Sequence, residues 1–235
     1  MPKEYCRDKP LKPAGQEGFT LVELAIVLVI VALLIGGLLV PLSAQRDIQN
    51  AAETQKRLSE IKEALLGFAA INRRLPCPDT DTDPAAAGYG LEELSCAANL
   101  TAEGYLPWKT LGISQIDAWG SIRTNATDPR NGDWRYRVDR KFAVAFTLAT
   151  DFTGSLDSLI IKDRAGTILT SATERPVAIV FSAGPNLLPD GDNASFEPTN
   201  GIYQAGDRSP TFDDMAIWIS RPVLFNRMIS AGVLP

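Results

Sequence analysis

The run Gly18-Phe-Thr-Leu-Val-Glu-Leu-Ala-Ile-Val-Leu-Val-Ile-Val-Ala-Leu-Leu-Ile-Gly-Gly-Leu-Leu-Val40 decides how the rest of the chain is read. After Gly18, twenty-two residues carry a single charge, Glu23, and the first proline is Pro41. At about 1.5 Å per residue a helix of that length spans roughly 33 Å, enough for the hydrocarbon core of a bilayer. A plain single-pass anchor has no use for Glu23. A carboxylate in lipid is costly, tends to protonate, and is stabilised by a cationic neighbour.

Residues 1–18 are polar, hold Pro2, Pro10 and Pro13, and show no periodic pattern. They read as a leader, outside the fold. A secretory signal peptide is the competing reading, but the apolar run is too long for one and no A-x-A site follows it. Arg7, Lys9 and Lys12 lie on the entry side, against Arg46 alone just beyond the exit. That asymmetry places the leader in the cytoplasm and exports the rest.

The glycine, the Phe-Thr-Leu-Val-Glu that follows and the apolar helix together resemble the N-terminal signature of type IV prepilins and type II secretion pseudopilins. The resemblance implies a cut between Gly18 and Phe19 by a prepilin peptidase, with methylation of the new Phe19 amine. It also implies that Glu23 pairs with the Phe19 amine of a neighbouring subunit as a filament assembles. The implied partners are other pilin-like subunits, an inner-membrane assembly platform and its cytoplasmic ATPase. The expected location is the bacterial inner membrane, crossed once, with the head in the periplasm.

The 235 residues are 22% charged and 45% hydrophobic, the balance of a folded protein. Residues 1–18 carry four Lys/Arg and three Asp/Glu, so the remainder is one unit more negative than the whole chain's −5. That disfavours a nucleic-acid surface. The chain has no histidine, which removes His-based triads, the usual proton shuttles and most zinc chemistry. With no phosphate-cradling glycine loop and no G-x-S-x-G, an enzyme is not expected. Cys6 leaves with the leader; Cys77 and Cys96 form an even pair in an exported segment, which reads as a disulfide.

Beyond Pro41, where Gly36 and Gly37 nearby favour a kink, residues 43–73 are rich in helix formers. Leu58, Ile61, Leu65 and Phe68 recur at three- and four-residue steps, an apolar stripe for a core. The reading is one helix over 19–73, transmembrane over about 19–40, ended by Leu75-Pro-Cys-Pro. Residues 79–133 read as loops with Tyr105, Trp108 and Trp119 as packing anchors. Strands are expected at 134–138, 142–148, 158–162, 176–181 and 215–219, and a last short helix over 221–230 with Ser220 as its N-cap. The fold class is α+β, a pilin-like long helix packed on a mainly antiparallel sheet, with a head over 74–235.

Two acidic clusters could hold a hard cation. Asp79-Thr-Asp-Thr-Asp-Pro starts like a calcium loop, but the EF-hand pattern fails at Pro84 and Gly90, so a solvated acidic turn is the default. Asp190-Gly-Asp-Asn and Asp213-Asp214 offer short oxygen donors on loops. Asp117-Ala-Trp-Gly and Ser182-Ala-Gly-Pro-Asn are similar to stretches of the major pseudopilins, which hold calcium near their C-terminal strands. By that likeness calcium is expected on Asp190, Asp192 and Asp213, against two plain acidic turns. The preferred reading is a type II secretion pseudopilin. A minor type IV pilin is the alternative, and an anchored periplasmic binding domain that never polymerises is the reading of another class.

Overall fold

The computed structural model describes residues 20–96, 103–120, 130, 132–147, 153–194 and 200–234, with side chains described throughout except over 36–42. The leader with Gly18, and Phe19 after it, lie outside the described residues. The chain divides into two compact units, Met1–Arg46 and Asp47–Pro235. The first helix, α1 (Leu21–Asn72), contributes residues to both.

In the first unit the backbone stays helical through Pro41, so the missing N–H does not end the helix. Leu21, Leu24, Leu28, Leu33 and Leu34 are all exposed, an apolar surface that the unit does not bury on itself. Among the described residues no helix is long and apolar enough to cross a membrane. The described side chains of this run stop at Ile35 and resume at Ser43.

The second unit is built on a four-stranded antiparallel sheet in the order β1 (Glu103–Tyr105), β2 (Arg135–Val138), β4 (Pro176–Ser182), β6 (Met215–Ser220). A parallel pair, β3 (Ile160–Lys162) and β5 (Ile202–Gln204), forms a second sheet. Two short helices complete it, α2 (Trp108–Leu111) and α3 (Arg221–Ser230). The stripe Leu58, Ile61 and Leu65 of α1 is buried against Trp134, Tyr136, Val138, Val180, Ile219, Leu224 and Met228. β4 is buried on both faces: Ala178 and Val180 join this core, while Ile179 and Phe181 pack with Leu159, Ile161 and Tyr203. That alternation is the period of two that a pleated strand imposes. A register shift between Pro176 and Ala178 lets Val177 share the face of Ala178.

Residues 142–148 depart from the strand expected of them. Asp139 accepts a hydrogen bond from Lys141 N–H (3.0 Å) and caps a 3-10 turn over Arg140–Ala143. Phe142 and Phe146 are buried edge to face with centroids 6.2 Å apart, but Val144 between them is half exposed. The alternation of aromatics thus reflects one turn folded over the core, anchored by Leu75 N–H on Phe142 O (2.8 Å). The segment 79–133, expected to be loop, supplies β1 and α2. α3 begins after Ser220 with Pro222 in its first turn, although the Ser220 hydroxyl makes no capping bond; Gly232 (φ 68°) follows its end. Cys77 and Cys96 are joined in a buried disulfide.

Candidate functional site

At the amino end of α1, Thr20 and Glu23 satisfy each other. The Thr20 N–H and hydroxyl both donate to Glu23 Oε2 (2.9 Å each), and Glu23 N–H donates to Thr20 Oγ1 (3.2 Å). This is a capping box, T-x-x-E, which gives two orphan helix donors their acceptors. The spacing is legible in Thr20-Leu-Val-Glu23, and the reading of Glu23 as an assembly residue passed over it.

A second polar centre lies in the head, laid down on α1 from Asp47 onward. Arg57 Nη1 donates to the carbonyls of Ile116 (3.2 Å) and Asp117 (2.9 Å), and Thr54 Oγ1 accepts from Ala118 N–H (3.2 Å). Trp119 Nε1 donates to Asp47 Oδ1 (3.0 Å), so half-buried Trp119 anchors through a hydrogen bond rather than as a member of the hydrophobic core. Asp117 is buried; its carboxylate accepts from Trp119 N–H (2.9 Å) and from Ser182 Oγ (2.5 Å) at the end of β4. Burial pushes the Asp117 carboxyl up, and these two bonds work the other way. The two stretches singled out in the sequence, 117–120 and 182–186, therefore meet in space.

From Ser182 the network continues to the acidic loops. Ser182 Oγ accepts from Gly184 N–H (3.0 Å), and Gly184 (φ 63°) lies against Asp213. A Cβ there would sit 2.5 Å from Asp213 Oδ1 and 2.6 Å from its carbonyl oxygen, so only glycine permits the approach. Asp213 N–H donates to Asp190 Oδ2, and Asp190 N–H to Asp214 Oδ2, each at 2.9 Å. Asn193 Nδ2 donates to the same Asp214 oxygen (2.9 Å) and to Gln204 O on β5 (3.0 Å). One carboxylate oxygen from each of Asp190, Asp213 and Asp214 lies within 4.8 Å of the others. Asp192 falls outside this group, on the short turn Gly191–Ala194, and Asp214 takes the third place.

The donor set fits a hard cation on grounds of its own. Asp214 is 1% exposed, and its Oδ1 is buried with no hydrogen-bond donor among the described residues; Asp213 Oδ1 is in the same condition. Burial, with smaller additions from Asp190 and Asp213, pushes the Asp214 carboxyl up to about 7 against the bonds from Asp190 N–H and Asn193. A buried carboxylate oxygen without a donor is costly. An oxygen-seeking divalent ion would offset that cost, and protonation is its competitor.

The other acidic stretch is spent internally. Asp79 Oδ2 meets Arg130 Nη1 (2.5 Å) and Gly90 N–H (2.7 Å), and Asp133 Oδ2 meets Arg130 Nε (2.7 Å). Arg130 is buried and lies 3.9 Å from the Tyr105 centroid and 4.4 Å from that of Tyr89. The guanidinium fills the place a metal would take, so 79–84 is an acidic turn closed by a cation of its own.

No curated protein and no solved structure gave a significant match to the chain. Residues 13–39 match the family model described as the Prokaryotic N-terminal methylation motif, which spans the glycine, the capping box and most of the apolar run. The chain therefore carries a prokaryotic N-terminal methylation motif, in keeping with the type IV prepilin and pseudopilin family, and the motif implies processing by prepilin peptidase and anchoring through the N-terminal helix.

Proposed function

We propose that the protein is a structural, non-enzymatic subunit of a type IV filament-like assembly, cut between Gly18 and Phe19 and methylated on Phe19. The observation that carries this is the methylation motif over 13–39, with Glu23 as the one charge of its apolar run and an exposed apolar helix surface behind it. Such a surface is hidden either by lipid or by the helices of neighbouring subunits. Among filaments, a type II secretion pseudopilus is favoured over a pilus, because 117–120 and 182–186 meet at one polar centre beside an acidic triad. In that reading Asp190, Asp213 and Asp214 hold a divalent cation such as calcium. The ion would fix the loops 184–194 and 208–214 by charge neutralisation. The platform protein and its ATPase are the expected machinery.

The test is the intact mass of the membrane-extracted protein with its N-terminal peptide sequenced. A chain that begins at methylated Phe19 supports the proposal; an intact residue 1, or a cut elsewhere, overturns it. One observation favours a second reading. The Glu23 carboxylate already has donors in Thr20, so an anchored domain that does not polymerise would also have a use for it.

A further inference from the structure

An open cavity of about 430 Å³ lies at the amino end of α3, lined by Thr153, Ala172, Thr173, Arg221, Pro222 and Phe225. That is within the range of small-molecule pockets, roughly 300–1,000 Å³. Its surface is mostly apolar, and the Phe225 ring is half exposed. Arg221 is the exception. It is only 7% exposed, yet no carboxylate pairs with it among the described residues. Its Nη1 donates to the carbonyl of Thr153 and its Nη2 to that of Ala172 (3.1 Å), while Nε is buried with no acceptor among the described residues. Of the five N–H groups of a guanidinium, two are therefore spent, both on neutral oxygens. Glu174, next to the cavity in sequence, is exposed and accepts from Ser171 Oγ (3.0 Å) instead. The first turn of α3 adds partial positive charge, since the Ser220 side chain leaves it uncapped.

We propose that this cavity binds a small monocarboxylate with an apolar body, such as an aryl carboxylate, with Arg221 as its counter-ion. Two carbonyls hold the guanidinium in place but cannot neutralise it, and a buried cation without a counter-ion is costly. A carboxylate removes that cost, because its two oxygens match the forked N–H groups of an arginine. The body of the ligand lies against Phe225, Pro222 and Ala172, which keep water from the ion pair. A phosphate or a dicarboxylate fits worse: Arg221 is the one cation among the described residues that line the cavity, and the rest of the lining offers little to a second charge. The site is independent of the methylation motif and of the acidic triad.

The test is a fluorine-NMR titration of the full-length chain in a non-ionic detergent, with para-trifluoromethylbenzoate as the probe and the matching benzamide as its neutral control. Wild type should bind the benzoate saturably and the benzamide at least about 10-fold more weakly, the size of one charge-assisted pair of hydrogen bonds. Phe225→Ala should weaken benzoate binding roughly 5-fold through the lost ring contact. Thr173→Glu, at an exposed position of the lining, supplies Arg221 with a carboxylate of the chain's own and should abolish benzoate binding. Arg221→Met should erase the preference for acid over amide; a urea melt shows whether it folds, and if it does not, Thr173→Glu decides. Equal binding of benzoate and benzamide would reduce the site to an apolar groove and overturn the proposal. So would benzoate binding that survives Thr173→Glu unchanged, or no saturable binding by wild type. None of these outcomes touches the filament or the cation reading.

Discussion

The phenol of Tyr203 on β5 donates to Glu103 Oε2 on β1 at 2.6 Å, tying the parallel pair to the edge of the main sheet across 100 residues of sequence. Arg137 on β2 approaches the same oxygen at 3.3 Å and reaches Asp157 at 3.8 Å, and Asp157 also accepts from Arg140 Nε (2.7 Å). Burial pushes the Glu103 carboxyl up to about 7, outweighing Tyr203, Arg137 and Arg135, which all favour the ionised form. The folded state therefore holds this proton more tightly than the unfolded chain, where the group returns to its ordinary value. The resulting stabilisation is fully present below the unfolded value and is lost as pH rises through about 7. Between pH 5 and 8 the head should lose up to about 3 kcal/mol relative to Glu103→Gln, whose curve lacks this contribution. Parallel urea melts for the two proteins over that range would sink the idea.

At the other end of the chain, Glu23 has two roles that one substitution separates. Glutamine at the third position of a capping box preserves the cap but not the charge. Glu23→Gln should therefore keep the start of α1 and abolish filament assembly, while Thr20→Ala should cost about 1 kcal/mol of helix stability and leave assembly in place. Membrane insertion is the control for both, scored by fractionation. Normal filaments from Glu23→Gln would leave the residue as a cap alone.

The runs that read as strands were legible where the apolar sequence is continuous, as in β4 and β6, because short runs of seven and six residues rich in β-branched and aromatic side chains suit a buried strand better than a helix. β1 and β5 are three residues each and carry Glu103, Gly104 and Gln204, so no periodicity could announce them. The polar centre was half legible. Its two sequence stretches stood out separately, but the Ser182–Asp117 bond that joins them spans 65 residues. Asp214 was passed over for Asp192 because spacing within a loop says nothing about which carboxylate the partner loop buries. The spacing over 79–84 makes a solvated acidic turn the default, and nothing in it announces Arg130, 51 residues away, which pairs with a buried Asp79.

Gly184 offers a sharp test of the approach between β4 and the acidic triad. Its φ is positive and a Cβ would collide with Asp213 side chain and backbone alike, so Gly184→Ala should cost about 2 kcal/mol or more. Gly206 is the comparison: a Cβ there would meet nothing closer than 3.7 Å, from the Arg164 stem, and its φ carries no penalty. Gly206→Ala should be close to neutral in the same urea titration. Equal costs would mean that the 184–213 contact contributes nothing specific.

Arg130 provides the strongest mutational contrast. It pairs with two buried carboxylates, Asp79 at 2.5 Å and Asp133 at 2.7 Å, and Gln115 Nε2 donates to the two Asp133 oxygens at 3.1 and 3.2 Å. Arg130→Met keeps much of the stem's volume but leaves two desolvated anions facing each other, which should cost about 3–5 kcal/mol. Adding Asp79→Asn and Asp133→Asn removes both charges while retaining acceptors for Gly90 N–H and Gln115. The triple variant should therefore recover most of the loss, because the penalty lies in the unpaired charge rather than in the missing contact. Recovery would identify Asp79, Arg130 and Asp133 as an ion-paired plug in the head, one guanidinium shared by two carboxylates. A triple variant as unstable as Arg130→Met would instead assign the loss to the guanidinium stacked on Tyr89 and Tyr105.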